Sequence, residues 1–227
     1  HNSEQIENRV KEITTKINSN SHAVSAFKTS MMHFDQSMFF RTYDELLSKK
    51  SFRDVFYQVF IPLIEEIGLL WQTNTITPAH EHFISYLIKQ KILVNTAEIQ
   101  VRMPTKKDTV FVLFLPMHEI HELGLMYLNY EFLSMGYQTI FLGESLPTEN
   151  LKEFTEIFDH VTFVSYFTVE PNPEEIDYYV EKIDQNILNP NTRFWITGRL
   201  SSSVKTEKTK NEIRTFSSIA EIINEIS

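Results

Sequence analysis

The sequence contains no cysteine and only five glycines among its 227 residues. The absence of cysteine excludes disulfide frameworks, thiolate zinc sites, iron–sulfur clusters and cysteine nucleophiles. Any metal ion must therefore be bound by histidine or carboxylate side chains. Basic residues are also few, with 21 Lys and Arg against 30 Asp and Glu. This balance argues against a nucleic-acid-binding surface spread over the chain, because phosphate binding needs concentrated positive charge.

Long apolar runs are absent as well. No run approaches the roughly 20 residues of a membrane span, and the amino terminus, HNSEQIENRV, lacks the apolar core of a signal peptide. We therefore expect a cytoplasmic protein without membrane contact. The first residue is His1 rather than methionine, so we expect the chain to be a piece of a longer protein.

The chain up to residue 103 has a helical pattern, because apolar residues recur every three or four positions and strand-like alternation is absent. Ser51 and Thr77 are predicted N-caps, and Pro78 takes a first helical position. Short connections predict antiparallel neighbours in a four-helix bundle. The predicted helices lie near residues 3–18, 22–47, 51–70 and 77–101.

The polar segment 103–109, MPTKKDT, marks a change of pattern and a predicted domain boundary. We expect a helix-bundle domain over 1–103 and an α/β domain over 109–227. In the second domain, apolar strands alternate with helical segments, which predicts a five-stranded parallel sheet of the doubly wound, flavodoxin-like (Rossmann-like) class. The predicted strands are TVFVLFLP, YQTIFLG, VTFVSYF, RFWITG and NEIRTF.

The loop after the first predicted strand, MHEIHELG, contains several side chains that could take part in binding or catalysis. A neutral imidazole such as that of His121 is a good metal ligand, and Glu119, two residues earlier, is placed to accept its other ring N–H. Gly124 would let a large ligand approach the backbone at the helix start. The alternative is a polar loop that caps an ordinary helix. His118 lies in the same loop.

The helical half carries a second pattern, in which nine residues separate Trp71 from Glu81-His82. These residues also have a plain structural interpretation. Tryptophan can fill a core, and Glu81 is an acid in the first turn of a helix, where the helix dipole favours it.

The two patterns together resemble a known family. E-x-H-x-x-G at 119–124 resembles the D-x-H-x-x-G signature of cobalamin-binding domains, which continues with a serine ending the third strand and a Gly-Gly pair after the fourth. Forty residues separate Gly124 from Ser165, and Gly198 ends the fourth predicted strand, followed by Arg199 instead of a second glycine. The W-x9-EH pattern is similar to that of the MerR-type cobalamin-dependent photoreceptor repressors, the CarH and LitR group. The resemblance spans about residues 35 to 200.

The resemblance implies roles for individual residues on the lower side of the cofactor. His121 would be the lower axial ligand of cobalt, in place of the dimethylbenzimidazole base. The displaced nucleotide tail would run into a slot beside the sheet, where Ser165 would hydrogen-bond the base and Gly198 would leave room for it. Ser145, after the second strand, would be a further wall of this slot, unless it is a helix N-cap.

On the upper side, the resemblance implies that the bundle covers the cofactor. Trp71 would pack on the adenosyl group of adenosylcobalamin, Glu81 would hydrogen-bond it, and His82 would lie in the same pocket. Some members of the group carry a histidine directly after the tryptophan, which binds cobalt after illumination. This chain has Gln72 at that position, with His80 and His82 as the nearest substitutes.

The resemblance implies the effector region of a transcription regulator rather than an enzyme. Adenosylcobalamin, with its cobalt, would control a homo-oligomer, a dimer or tetramer, and DNA would be bound only through an N-terminal domain absent from this chain. Light or the presence of cobalamin would be the signal. The alternatives are a corrinoid carrier of a methyltransferase system and a ligand-free interaction domain that retains the fold.

Overall fold

A computed structural model of the chain describes residues 20–207 and 209–227. The helix predicted at 3–18 lies outside the described residues. The chain forms two compact units, one ending at Lys91 and the other running from Ile92 to Ser227. The division falls inside a long helix, Pro78–Gln100, ahead of the segment 103–109 in which we predict the boundary between domains.

The first unit is a helical bundle. A π-helical turn, Phe56–Phe60, joins two of its α-helices into one continuous rod. Ser51 caps the start of that rod by accepting a hydrogen bond from the Asp54 amide, as predicted. The helices are α1 at 20–33, α2 at Gln36–Leu47, α3 at Phe52–Val55, α4 at Ile61–Gln72 and α5 at Pro78–Gln100.

The prediction of one helix over 22–47 is wrong, because the chain breaks between α1 and α2. Phe34 has a φ of 52°, a left-handed conformation that ends α1. Asp35 then caps α2, its carboxylate accepting from the Met38 amide over 2.9 Å. The apolar spacing continues across this turn, so periodicity could not detect it.

Aromatic rings form the core of the bundle. The ring of Phe27 lies 4.8 Å from that of Phe39 and 5.6 Å from that of Phe60, measured between centroids. Tyr43 stacks on Phe60 at 6.0 Å with an interplanar angle of 3°. All four side chains are buried. The helices are thus held by ring packing, which buries a large apolar area per residue.

The second unit is a five-stranded parallel sheet in the order β2-β1-β3-β4-β5, with helices between the strands. This is the predicted flavodoxin-like order, and the fold-class prediction is confirmed. The strands are β1 Lys106–Phe114, β2 Tyr137–Gly143, β3 Val161–Tyr166, β4 Thr192–Thr197 and β5 Glu212–Thr215. The helices are α6 Leu123–Ser134, α7 Lys152–Ile157, α8 Ile176–Asn186 and α9 Ile219–Glu225.

The strand order places the chemistry-bearing loops together. β1 lies between β2 and β3, so the chain reverses its winding direction there, and ligands of open α/β sheets bind outside the carboxyl ends of strands at such a point. The register pairs Phe114 of β1 with Ser165 of β3, and Tyr166 of β3 with Thr197 of β4. The loops after β1, β3 and β4 therefore meet at one edge of the sheet.

Over residues 20–207 and 209–227, the structure contains no helix with the length and apolar character needed to cross a membrane.

Candidate functional site

Glu119 is the anchor of the loop that follows β1. Its carboxylate is fully buried, and one oxygen, Oε2, accepts hydrogen bonds from three successive amides of the loop after β3. The other oxygen, Oε1, accepts from the amides of Ile120 and His121 and faces the Nδ1 atom of His121 at 2.6 Å. The three amides belong to Thr168, Val169 and Glu170, at 3.1, 2.7 and 2.9 Å.

These hydrogen bonds keep the carboxylate ionised. Burial by itself would raise the pKa of Glu119, but the hydrogen bonds from the His121 ring and from the amides of Val169, Glu170 and His121 outweigh burial and lower the pKa to about 2. A buried negative charge therefore lies behind the His121 ring at neutral pH. It favours a proton on Nδ1 and raises the electron-donating strength of the other ring nitrogen, Nε2.

The geometry suits His121 as a single metal ligand. The hydrogen bond predicted between Glu119 and His121 is present, and half of the imidazole surface is exposed at the sheet edge. Among the described residues, no group of three or more histidine and carboxylate side chains could hold a metal ion. The Glu119–His121 pair by itself offers one imidazole nitrogen as a ligand.

Two glycines of the predicted site face one aromatic ring, that of Tyr166. A Cβ atom added to Gly124 would lie 2.6 Å from Cζ of Tyr166, and one added to Gly198 would lie 2.9 Å from Cδ1, on the opposite edge of the ring. Gly198 also has a φ of +100° and packs against the backbone of Phe167, so glycine is required there. The ring of Tyr166 thus fills the space that both glycines leave open.

Ser165 precedes Tyr166 in β3, and its side chain is already engaged. Its buried hydroxyl donates to the carbonyl oxygen of Phe114 over 2.9 Å. The oxygen keeps acceptor capacity, because a hydroxyl has two lone pairs.

Ser145 is not the helix N-cap that we considered as its alternative role. Pro147, and not Ser145, precedes the short helix after β2. The Ser145 hydroxyl instead accepts from the His118 amide over 3.1 Å, and both residues have a positive φ. Ser145 therefore ties the loop after β2 to the loop after β1, and a role as slot wall stays a prediction.

Trp71 and its partners lie in the helical bundle. Trp71 is 47% exposed near the end of α4, which excludes the interpretation as core filler. One carboxylate oxygen of Glu81 faces Nδ1 of His82 at 2.8 Å, and the other accepts from the hydroxyl of Ser85 at 2.6 Å. His82 itself is largely exposed. Their roles toward an upper ligand stay predictions.

His80 contacts Thr77 and Phe34 within the helical bundle. Its Nδ1 atom lies 3.2 Å from the Thr77 amide and 2.9 Å from the Thr77 hydroxyl, and its ring stacks on Phe34 at 4.8 Å. This contact closes the first turn of α5 in the manner of a capping box, with histidine in place of glutamate. His80 is thereby occupied in this conformation.

Known proteins that are similar to this chain include corrinoid-binding proteins and a transcriptional repressor. Residues 24–94, from α1 into α5, match the model of a family described as B12 binding domain. The HTH-type transcriptional repressor CarH of Myxococcus xanthus is 26% identical over 118 residues, which are 52% of this chain and 38% of the repressor. The chain thus spans about two fifths of that relative's length. The monomethylamine corrinoid protein of Methanosarcina barkeri has the same fold, with a TM-score of 0.73 at 14% identity, covering 91% of this chain and 98% of the other.

The loop after β1 has the side chains that a corrinoid ligand would need, whereas the space beside the two glycines is not free for one. His121, backed by the Glu119 carboxylate, has the donor chemistry for an axial cobalt ligand. The space beside Gly124 and Gly198, in contrast, is filled by Tyr166. Sequence reasoning missed Tyr166, although a large aromatic residue directly after Ser165, at the end of a strand, was a visible signal.

Proposed function

We propose that this chain is the cobalamin-binding effector region of a MerR-type transcription regulator. The observation that carries the proposal is the Glu119–His121 pair, a half-exposed imidazole held by a buried ionised carboxylate at the carboxyl edge of the sheet. The match of residues 24–94 to a B12 binding domain and the similarity to a repressor support it. The chain acts by binding and not by catalysis.

Two residues of the loop after β1 have defined tasks in this proposal. Glu119 fixes the His121 ring through Nδ1 and, through Oε2, holds the neighbouring loop. His121 would hold the cobalt of a corrinoid through Nε2. Cobalamin would supply a cobalt centre whose upper ligand is removable, by light in the case of an adenosyl group.

The upper side of the proposal rests on the helical unit. The exposed indole of Trp71 offers a flat apolar surface for an adenine ring, and the Glu81 carboxylate offers hydrogen-bond acceptors. Loss of the adenosyl group would remove the preference for one conformation of a two-state switch. That switch would control a homo-oligomer and, through a part of the protein not contained in this chain, DNA binding.

Two other functions have observations in their favour. A corrinoid carrier is supported by the fold shared with the monomethylamine corrinoid protein, which extends over nearly the whole length of both chains. A ligand-free interaction domain is supported by Tyr166, because its ring occupies the space that a cofactor tail would need. Cobalamin binding separates the third function from the first two, and a preference for the adenosyl form separates the first from the second.

The deciding experiment is a titration of the chain with adenosylcobalamin in the dark, followed by absorption spectroscopy. We expect the spectrum of cobalamin with its own base displaced and histidine bound. His121→Ala should abolish this spectrum, whereas His118→Ala, in the same loop, should leave it unchanged. Equal cobalamin affinity in the parent and in His121→Ala, or no binding to the parent, would overturn the proposal.

A further inference from the structure

The two edge strands of the sheet, β2 and β5, differ in how well they are protected against further pairing. β5 is four residues long and carries Glu212 and Arg214. Short length and charged side chains are features with which natural proteins prevent an edge from pairing with another chain. β2 is seven residues long, YQTIFLG, and contains neither a charged residue nor a proline. The edge at β2 therefore lacks the usual protection.

The outer side of β2 is open within residues 20–207 and 209–227, since its strand pairing is with β1 alone. The Val110 amide of β1 donates to His160 beside β3, so the next residue, Phe111, points its backbone groups toward β2. A residue in a parallel ladder bonds to the two residues that flank its register partner, and the partner of Phe111 is Thr139. Thr139 and Phe141, two positions further on, therefore point their N–H and C=O groups away from the sheet.

β2 is complementary to a second copy of itself in the antiparallel direction. With a twofold axis at Ile140, Thr139 of one copy would lie opposite Phe141 of the other, and Ile140 would face its own counterpart. A β-branched residue opposite an aromatic one is a favourable cross-strand pair. No pair along the strand would bring like charges together, because the strand has none.

The charges at the two ends of β2 favour this direction over the parallel one. Exposed Glu144 follows the strand, and at its start the ammonium group of Lys106 lies 4.3 Å from the ring centroid of Tyr137. An antiparallel pair would place Glu144 of one copy beside the Tyr137–Lys106 contact of the other. A parallel pair would instead place the two Glu144 carboxylates together. Exposed ion pairs contribute little energy, but adjacent like charges disfavour the parallel alternative.

We infer that β2 is an interaction surface for a second copy of this chain, and that antiparallel pairing of the two β2 strands joins two sheets into one. A twofold interface uses the same surface on both copies, so assembly through β2 stops at a dimer. The inference goes beyond the proposed function, because this interface needs no corrinoid. The dimer would persist when a contact that depends on the adenosyl group is lost.

The first experiment uses the absence of cysteine from the chain. Ile140→Cys places one thiol of each copy at the twofold axis. There the two Cα atoms form a pair without mutual hydrogen bonds, about 4.5 Å apart, which is within the range for a disulfide. Mild oxidation should convert most of this variant into a covalent dimer. Thr215→Cys, on the exposed end of β5, is the matched control and should stay monomeric. No covalent dimer from Ile140→Cys, or equal amounts from both variants, would overturn the inference.

The second experiment is sedimentation of the chain without corrinoid. The parent should be a dimer at about 10 μM, and Thr139→Lys should raise the dissociation constant of the dimer about tenfold or more. The substitution removes the contact with Phe141 and places two ammonium groups diagonally across the axis. Thr215→Lys, on the opposite edge, should behave like the parent.

Two results of the sedimentation experiment would contradict the inference. One is a parent that stays monomeric up to about 100 μM. The other is a dimer that Thr139→Lys leaves unchanged, because such a dimer would use another surface. Titration of Thr139→Lys with adenosylcobalamin separates this inference from the proposed function, since loss of the dimer should leave corrinoid binding intact.

Discussion

Arg199 donates a hydrogen bond from its Nε atom to the carbonyl oxygen of Thr168 over 3.0 Å. The amide of the same Thr168 donates to Glu119. Both backbone groups of one residue are thus used to join the loops after β1, β3 and β4. Arg199, which stands where the cobalamin-binding pattern has a second glycine, therefore has a structural task of its own at the edge of the sheet.

Glu119→Gln should destabilise the second unit strongly. A glutamine has one acceptor oxygen, so its NH₂ group must face one of the two sets of N–H donors that the carboxylate now binds. We expect a loss of about 3 kcal/mol or more in the free energy of unfolding. Urea unfolding followed through the buried Trp195, in a Trp71→Phe background, measures it.

The matched control is Glu144→Gln, an exposed glutamate after β2, which should change stability by less than about 0.5 kcal/mol. Equal stability of the two glutamine variants would contradict the anchoring role of Glu119.

Gly198→Ala and Gly124→Ala should lower the free energy of unfolding for different reasons, because different neighbours surround the two glycines. At Gly198 the new Cβ would lie 2.5 Å from the carbonyl oxygen of Phe167, and the φ of +100° disfavours alanine, so we expect a loss of about 2 kcal/mol or more. At Gly124 the three atoms nearest to the new Cβ all belong to the Tyr166 ring.

Adding Tyr166→Ala should therefore relieve Gly124→Ala, which in a helix then becomes neutral or stabilising, and should leave the cost of Gly198→Ala in place. A double-mutant cycle by thermal or urea unfolding measures both couplings. Equal coupling of the two glycines to Tyr166 would show that the backbone of Phe167 is not the main obstacle at position 198.

Trp71→Ala should erase a preference for adenosylcobalamin over methylcobalamin. The parent should bind the adenosyl form at least about tenfold more tightly, because only that form has an aromatic upper ligand that can pack on the exposed indole. Dissociation constants from equilibrium titration of both forms measure the effect, and Tyr178→Ala should keep the preference. Equal affinity of the parent for both forms would favour the corrinoid carrier.

Gln72→His should increase the retention of corrinoid after illumination. Gln72 ends α4 directly after Trp71, and its neutral amide is a poor ligand for cobalt. We expect illuminated parent protein, with His121 as its single protein ligand, to lose corrinoid on gel filtration more readily than Gln72→His. Gln185→His, on the exposed part of α8, is the control for an added histidine.

The opposite outcome is also informative. A spectrum with two histidine ligands in the illuminated parent, abolished by His82→Ala, would show that α5 supplies the second ligand. His80 is less suited to this, since its Nδ1 atom accepts a hydrogen bond from the Thr77 amide, which favours a proton on Nε2, the nitrogen that would have to bind the metal.

Local patterns predicted the elements well where the physical cause is local. Continuous apolar runs identified the buried strands, since a strand covered on both faces needs apolar side chains at every position. Ser51 and Pro78 marked two helix starts correctly. The break between α1 and α2 escaped, because Phe34 is an apolar residue in phase with its neighbours and only its left-handed backbone ends the helix.

The sequence by itself determined the class of sheet and the Glu119–His121 contact, because strand patterns and contacts within one loop depend on residues that are close together in the chain. The positions of the glycines were visible in it as well. Only the tertiary structure decided what surrounds them. The amides that hold Glu119 come from about 50 residues further along the chain, and Tyr166 meets Gly124 and Gly198 only when β3 has been placed beside β1 and β4. Side-chain contacts of this kind depend on strand register and ring orientation, which no local spacing encodes.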